Sequence, residues 1–244
     1  MCRHVAHLGP ATTLEQLLVN PAHGLLRQSW APRRQAHGVV NADGFGVGFW
    51  GPERAAPARY RRAVPMWADA SFASLAGVVR STCVVAAVRS ASAGTPPDES
   101  ACAPFLLGAA DGPGVLLSHN GRVRVEALAP LVDSAALAAL GSTVDSAYVA
   151  ALVQARLGSG LRDALADVVR EVGHHDPSAR LNLLAADGTT VVATTWGDTL
   201  STRVDERGAS IASEPDDDGP GWHDVPDHSL VTVTADGTLT VEDL

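Results

Sequence analysis

The chain has 244 residues, 46% of them hydrophobic, a formal net charge of −9 and three cysteines. That length and apolar fraction bury a full core, taken as one domain over residues 2–244, and the acidic balance argues against a nucleic-acid or anionic-membrane partner, because neutralising phosphates takes a basic face. Cys2, Cys83 and Cys102 are too few and too widely spaced for a disulfide framework or a zinc knuckle; with no signal-peptide pattern and no apolar stretch of ~18 residues, a cytoplasmic protein with free thiols and neither metal nor cofactor is expected.

Strand-like alternation begins at once, in CRHVAHL (2–8), which sets a cysteine behind Met1 at the head of a buried strand. Helical spacing follows in TLEQLLV (13–19). GVGFW (46–50) is read as a strand whose glycines sit in a crowded place; GVGFWG matches the dinucleotide fingerprint, but apolar alternation runs through it and GPERAAP, not a helix, comes next. CVVAAVR (83–89) and GVLLSHN (114–120) are further strands, the second running into Asn120-Gly121, a strong hairpin-turn signal. VEALAPLVDSAALAAL (125–140) and Ser142 through Arg170 carry helical spacing, broken by Gly158 and Gly160. The imidazoles of GHHDP (173–177) are read as a solvated helix end, not a metal pair. RLNLLAAD and TTVVATTW form a hairpin across 180–196, and GASIAS (208–213), SLVTVT (229–234) and TLTVED (238–243) complete the strands. Late strands joined by turns predict a layered α+β domain over a parallel βαβ fold.

The chemistry starts at the second residue. Cysteine is small enough for methionine aminopeptidase to remove Met1, which leaves a thiol and an α-amine on one residue. With pKa values of about 8.5 and about 7.7–8.0, the amine accepts the thiol proton near neutral pH, so nucleophile and base come together. An oxyanion hole is still needed, and the Asn120 side-chain amide with the Gly121 N–H offers two donors, although a plain hairpin turn explains the same two residues.

Cys2 behind Met1, DGFGVGF, AAVRSASAG, SHNG and the aspartate of STVDSA stand in the order found in class II glutamine amidotransferase-type N-terminal nucleophile hydrolases, and the chain resembles that family. QSWAPRRQAHGVVNADGFGVGFW, RSASAGTPPDESACAPF, RLNLLAADGTTVVATTWGDTL and SEPDDDGPGWHDVPD are similar to its γ-glutamyl hydrolase branch in ergothioneine biosynthesis, so the likeness covers essentially the whole chain. The resemblance implies a four-layer αββα sandwich and hydrolysis of the small molecule γ-glutamyl-hercynylcysteine S-oxide to glutamate and hercynylcysteine S-oxide. It further implies that Cys2 attacks, Asn120 and Gly121 hold the oxyanion, Arg89 receives the glutamyl α-carboxylate and Asp145 its α-ammonium. Two bland readings stand beside these: a strand-ending surface arginine and a helix N-terminal carboxylate.

The departures bear on substrate. Ala87, Arg89 and Ser92 stand where many glutaminases have His-x-Arg-x-x-Thr, and ACAPF (101–105) where they have Asn-x-His-Pro-Phe, which argues against free glutamine as the preferred substrate. The implied leaving group carries a trimethylated ammonium, a cation that aromatic faces and carboxylates hold, and Trp30, Trp196, Trp222 and Asp217 are the candidates for that end. Two alternatives share the same residues: a stand-alone glutaminase or broad γ-glutamyl amide hydrolase, and a non-catalytic binding protein if Met1 is retained. The oligomeric state is left open.

Overall fold

A computed structural model describes residues 2–51, 54–91, 95, 98–108 and 113–244. Met1 and Ser92, both invoked above, lie outside the described residues.

The described residues form thirteen strands: β1 (Arg3–Thr13), β2 (Phe45–Phe49), β3 (Ala58–Arg62), β4 (Arg80–Val88), β5 (Phe105–Leu107), β6 (Val115–Arg122), β7 (Arg180–Ala186), β8 (Thr190–Thr195), β9 (Ser201–Asp205), β10 (Gly208–Ala212), β11 (His223–Asp224), β12 (Ser229–Thr234) and β13 (Leu239–Asp243). They form a seven-stranded sheet in the order β11-β9-β10-β1-β4-β2-β3 and a six-stranded sheet in the order β13-β12-β8-β7-β6-β5. The pairings are antiparallel.

Period-two alternation sends neighbouring side chains of one strand to different layers. Leu116 of β6 and Val85 of β4 lie in the apolar cluster between the sheets, together with Ala6 and Leu184. Leu117 faces the other way, into a cluster with α6 (Asp145–Arg156) and α7 (Leu161–His175), which follow α4 (Val125–Leu128) and α5 (Ser134–Leu140). Val84 and Ala86 face a third cluster, closed by α1 (Leu14–Leu18), α2 (Leu25–Gln28) and α3 (Ala70–Ala76). The layers are therefore αββα, as expected, with each buried Leu or Val contributing about 1.5–3 kcal/mol. No single helix among the described residues is long and apolar enough to cross a membrane.

The glycines of β2 are held by crowding: a Cβ on Gly46 would lie 2.2 Å from the Ala103 carbonyl oxygen, and one on Gly48 would lie 2.5 Å from Leu116 Cδ1. The helical run 142–170 divides as its glycines require, since Gly160 has φ +96° and opens α7. The span 125–140 is not one helix: α4 ends in a 3₁₀ turn containing Pro130, and α5 starts afresh behind Asp133, whose side chain accepts from Ala135 N. Sequence patterning also passed over β3. Its RYRR run is a strand whose Arg59 and Arg61 donate to the carbonyls of Pro104, Ser100 and Cys102, so the basic cluster fastens a loop.

Candidate active site

The two sheets meet at Cys2. It precedes β1 in the larger sheet, and its backbone N donates to Asn120 Oδ1 of the smaller sheet at 3.1 Å. Because a backbone nitrogen only donates, the carboxamide oxygen is fixed on the cysteine side and Nδ2 is turned away from it. That Nδ2 is buried and has no acceptor among the described residues. A donor left so costs about 1–3 kcal/mol, and a fully buried asparagine in this state is suited to an acceptor that arrives from outside.

Asn120 and Gly121 do not form a turn. β6 runs through both to Arg122, and the ladder to β7 pairs Asn120 with Asn182 and Gly121 with Leu181. The physical reason is the close approach of β7: a Cβ on Gly121 would sit 1.9 Å from Arg180 O and 2.6 Å from His119 Nε2. Only glycine fits. His119 is pinned in turn, its Nε2 donating to Arg180 O at 2.9 Å and its Nδ1 standing 3.0 Å from Ser146 Oγ. A carbonyl can only accept, so Nε2 carries a proton.

Cys2, His119 and Gly121 open on a cavity of about 690 Å³, and Arg89 and Asp145 line it as well. Arg89 follows β4 and is not a surface arginine: it is 7% exposed, and its Nη1 donates to Asp43 O at 3.0 Å. Asp145 begins α6, where Oδ1 accepts from Ser146 N at 2.8 Å and Oδ2 from Val123 N at 3.1 Å. Its carboxylate thus complements the helix start and faces the cavity at once, so the two readings of this residue are compatible.

Behind Cys2 lies a fully buried ion pair that the sequence did not reveal. Arg3 Nε donates to Cys2 O at 3.1 Å, and Arg3 Nη1 is 4.0 Å from Glu214 Oε2. Burial lowers the Arg3 pKa, opposed by Glu214 and Asp198. Glu214 also accepts from Arg33 N (2.9 Å) and Arg34 N (2.8 Å), which ties that loop to the head of β1. The other two thiols are inert by comparison: burial pushes Cys83 up to about 12 and Cys102 up to about 11.

None of the four candidates for the cationic end lines this cavity; Trp222 and Asp217 meet at Arg203, whereas Trp30 and Trp196 have other neighbours. Trp30 packs edge-on against Trp67, Trp196 packs on His228 and against Gly173, and Trp222 lies under the Arg203 guanidinium. Asp217 is already engaged, accepting from Arg203 Nη1 at 2.9 Å and from Gly219 N. The four therefore do not form one cage at this cavity. In its place the structure brings forward residues that sequence reasoning passed over, namely His119, Arg122 and Arg180, which line the cavity, and Asn182, which orders 196–199 through Trp196 N and the carbonyls of Asp198 and Thr199. His119 lies inside SHNG and was available there. Arg180 and Asn182 become visible only once the β6–β7 register is known.

Residues 23–206 match the family described as class-II glutamine amidotransferases. The chain is 54% identical over 233 residues to a γ-glutamyl-hercynylcysteine sulfoxide hydrolase of Mycolicibacterium smegmatis, covering 96% of each chain. It is 48% identical over 244 residues to a protein of the same name from Mycobacterium tuberculosis, covering 100% of this chain and 97% of that one. Among solved structures, a glutamine aminotransferase class-II domain protein from Silicibacter pomeroyi is similar at TM-score 0.68 and 22% identity, with 99% of both chains covered. A glutamine phosphoribosylpyrophosphate amidotransferase of B. subtilis gives TM-score 0.70 at 16% identity, over all of this chain and 49% of that one.

Proposed function

The chain belongs to the class-II glutamine amidotransferases, and we propose that it hydrolyses the γ-glutamyl amide of γ-glutamyl-hercynylcysteine S-oxide to glutamate and hercynylcysteine S-oxide, through a thioester on Cys2. The relatives at 48–54% identity carry that activity in their names. The observation that supports the chemistry is the divided carboxamide of Asn120, whose oxygen takes the Cys2 nitrogen while its buried Nδ2 is left free.

In this reading the α-amine of Cys2, exposed by loss of Met1, takes the thiol proton, and Sγ attacks the γ-carbonyl carbon. The negative charge on the former carbonyl oxygen is met by Asn120 Nδ2 and Gly121 N–H, donors fixed beforehand by the β6–β7 ladder. On collapse the C–N bond breaks and the ammonium of Cys2 returns its proton to the leaving nitrogen. A water then gives a proton to the amine, attacks the thioester through the same oxyanion, and releases glutamate and the thiol. Arg89 takes the glutamyl α-carboxylate in a two-pronged contact and Asp145 the α-ammonium, so a free γ-glutamyl head is read and an internal glutamine is not. Residues 2–244 act as one catalytic unit, supported by the origin of Cys2 and Asn120 in different sheets. A small-molecule substrate in the cytoplasm accords with the −9 charge and the buried free thiols.

The test is glutamate release, followed by mass spectrometry, from γ-glutamyl-hercynylcysteine S-oxide, γ-glutamylcysteine and glutamine. Wild type is expected to cleave the first fastest and Cys2→Ala to cleave none. Glutamine as the best substrate would move the assignment to a stand-alone glutaminase.

A further inference from the structure

Arg122 ends β6, one residue past Gly121 and two past Asn120. Strand alternation places its side chain on the face of Asn120, the face that meets Cys2. Its partner directly across the ladder is Arg180, on the same face, and both guanidinium-bearing residues line the cavity with Cys2 and Asp145. Like charges directly opposite on one sheet face repel each other.

The two arginines are not equally provided for. Arg180 Nε lies 3.2 Å from Asp198 Oδ2, and that carboxylate is buried. Arg122 has no carboxylate within ion-pair distance among the described residues. The acids that line the cavity do not supply one: neither Asp145 nor Glu126 lies within ion-pair distance of Arg122. Arg122 is exposed and lines the cavity opposite a second arginine, so an arriving anion finds two cations together.

We propose that Arg122, with Arg180 opposite it, binds the carboxylate on the carbon next to the scissile nitrogen, that is, the α-carboxylate of an amino-acid leaving group. The proposal rests on the γ-glutamyl hydrolase reading and adds the leaving side to it. Arg89 and Asp145 contact only the glutamyl head, which glutamine and every γ-glutamyl amino acid share. Glutamine departs as ammonia and brings no carboxylate to the other side of the bond. Arg122 is thus the residue that sorts γ-glutamyl amino acids from glutamine, and its planar fork suits a carboxylate better than an ammonium point charge does.

The experiment uses γ-glutamylcysteine and γ-glutamylcysteamine, which differ by that carboxylate alone. Binding of each is measured by calorimetry to Cys2→Ala, which holds substrate without turning it over, and to Cys2→Ala carrying Arg122→Ala or Arg122→Lys. Cys2→Ala should favour the carboxylated compound by about 10- to 100-fold, Arg122→Ala should abolish that ratio, and Arg122→Lys should restore part of it. Thermal unfolding without ligand should show Arg122→Ala no less stable than its parent, since a repulsion has been removed. A ratio unchanged by Arg122→Ala, no preference in the parent, or a lowered unfolding temperature with both compounds lost together would each overturn the proposal. Wild-type protein that releases no glutamate from γ-glutamyl-hercynylcysteine S-oxide would overturn the hydrolase reading instead, while the binding ratio still decides the role of Arg122.

Discussion

One carboxamide divides its two ends between two tasks. Asn120 Oδ1 fixes the nitrogen of Cys2, and its Nδ2 is kept buried without an acceptor among the described residues. The account therefore expects Asn120→Ala to lower kcat by about 10²- to 10³-fold while changing KM far less, because an oxyanion donor acts on the transition state and not on the bound amide. Steady-state kinetics on γ-glutamylcysteine separate the two, and a loss confined to KM would assign Asn120 to ground-state binding. At this scale the sequence was legible in part. Cys2, Arg89, Gly121 and Asp145 line one cavity, and Asn120 lies buried behind it, bonded to the Cys2 nitrogen. The division of labour within Asn120 was not legible, because it depends on which end faces a strand 118 residues away.

At the scale of elements, β1 and β6 belong to different sheets and are joined through His4 as well as through Cys2. His4 Nδ1 lies 3.2 Å from Ser118 Oγ, and the ring is fully buried between the sheets. Burial lowers its pKa from 6.5 to about 3, and the charges of Arg3 and His119 add to the effect. Above pH 6.5 both folded and unfolded chains are neutral there and stability is unaffected. Between 6.5 and about 3 the unfolded chain takes a proton that the folded one refuses, so stability falls as pH falls, by at most about 1.4 kcal/mol per pH unit. Urea unfolding at pH 7 and pH 5 should show this slope in wild type and a shallower one in His4→Gln; identical slopes would remove His4 from the account. Element patterning was readable where apolar alternation is strong, as in β1, β4, β6 and β7. It failed where an element is specified by tertiary contacts. β3 is rich in arginine because its side chains hold a neighbouring loop, and β11, two residues long, exists only through its pairing with β9.

For the molecule as a whole, the αββα layering follows from strands that present apolar side chains to both faces. It gives the site its character, because Cys2 leads into one sheet and Asn120 and Gly121 belong to the other. The cavity is lined by four arginines, Arg89, Arg122, Arg124 and Arg180, in a chain whose net charge is −9. That concentration could not be seen from composition: the arginines come from the ends of β4, β6 and β7, and only the fold collects them. The same register explains why scarce tryptophans were a poor guide. Trp30, Trp196 and Trp222 were grouped because they fall in the most characteristic segments, yet the fold disperses them to three different neighbours. Charge complementarity to a substrate rich in carboxylates is the molecule-scale feature that emerges instead.

The central claim is that an N-terminal Cys2 carries the glutamyl group during turnover. Its most direct test is rapid acid quench of the wild-type protein with γ-glutamyl-hercynylcysteine S-oxide, followed by mass spectrometry of the N-terminal peptide. The account predicts a peptide that begins at Cys2, free of Met1, with a γ-glutamyl adduct on its sulfur that disappears as substrate is exhausted. Glutamate release with no such adduct in the turnover window, or from a chain that still bears Met1, would contradict it.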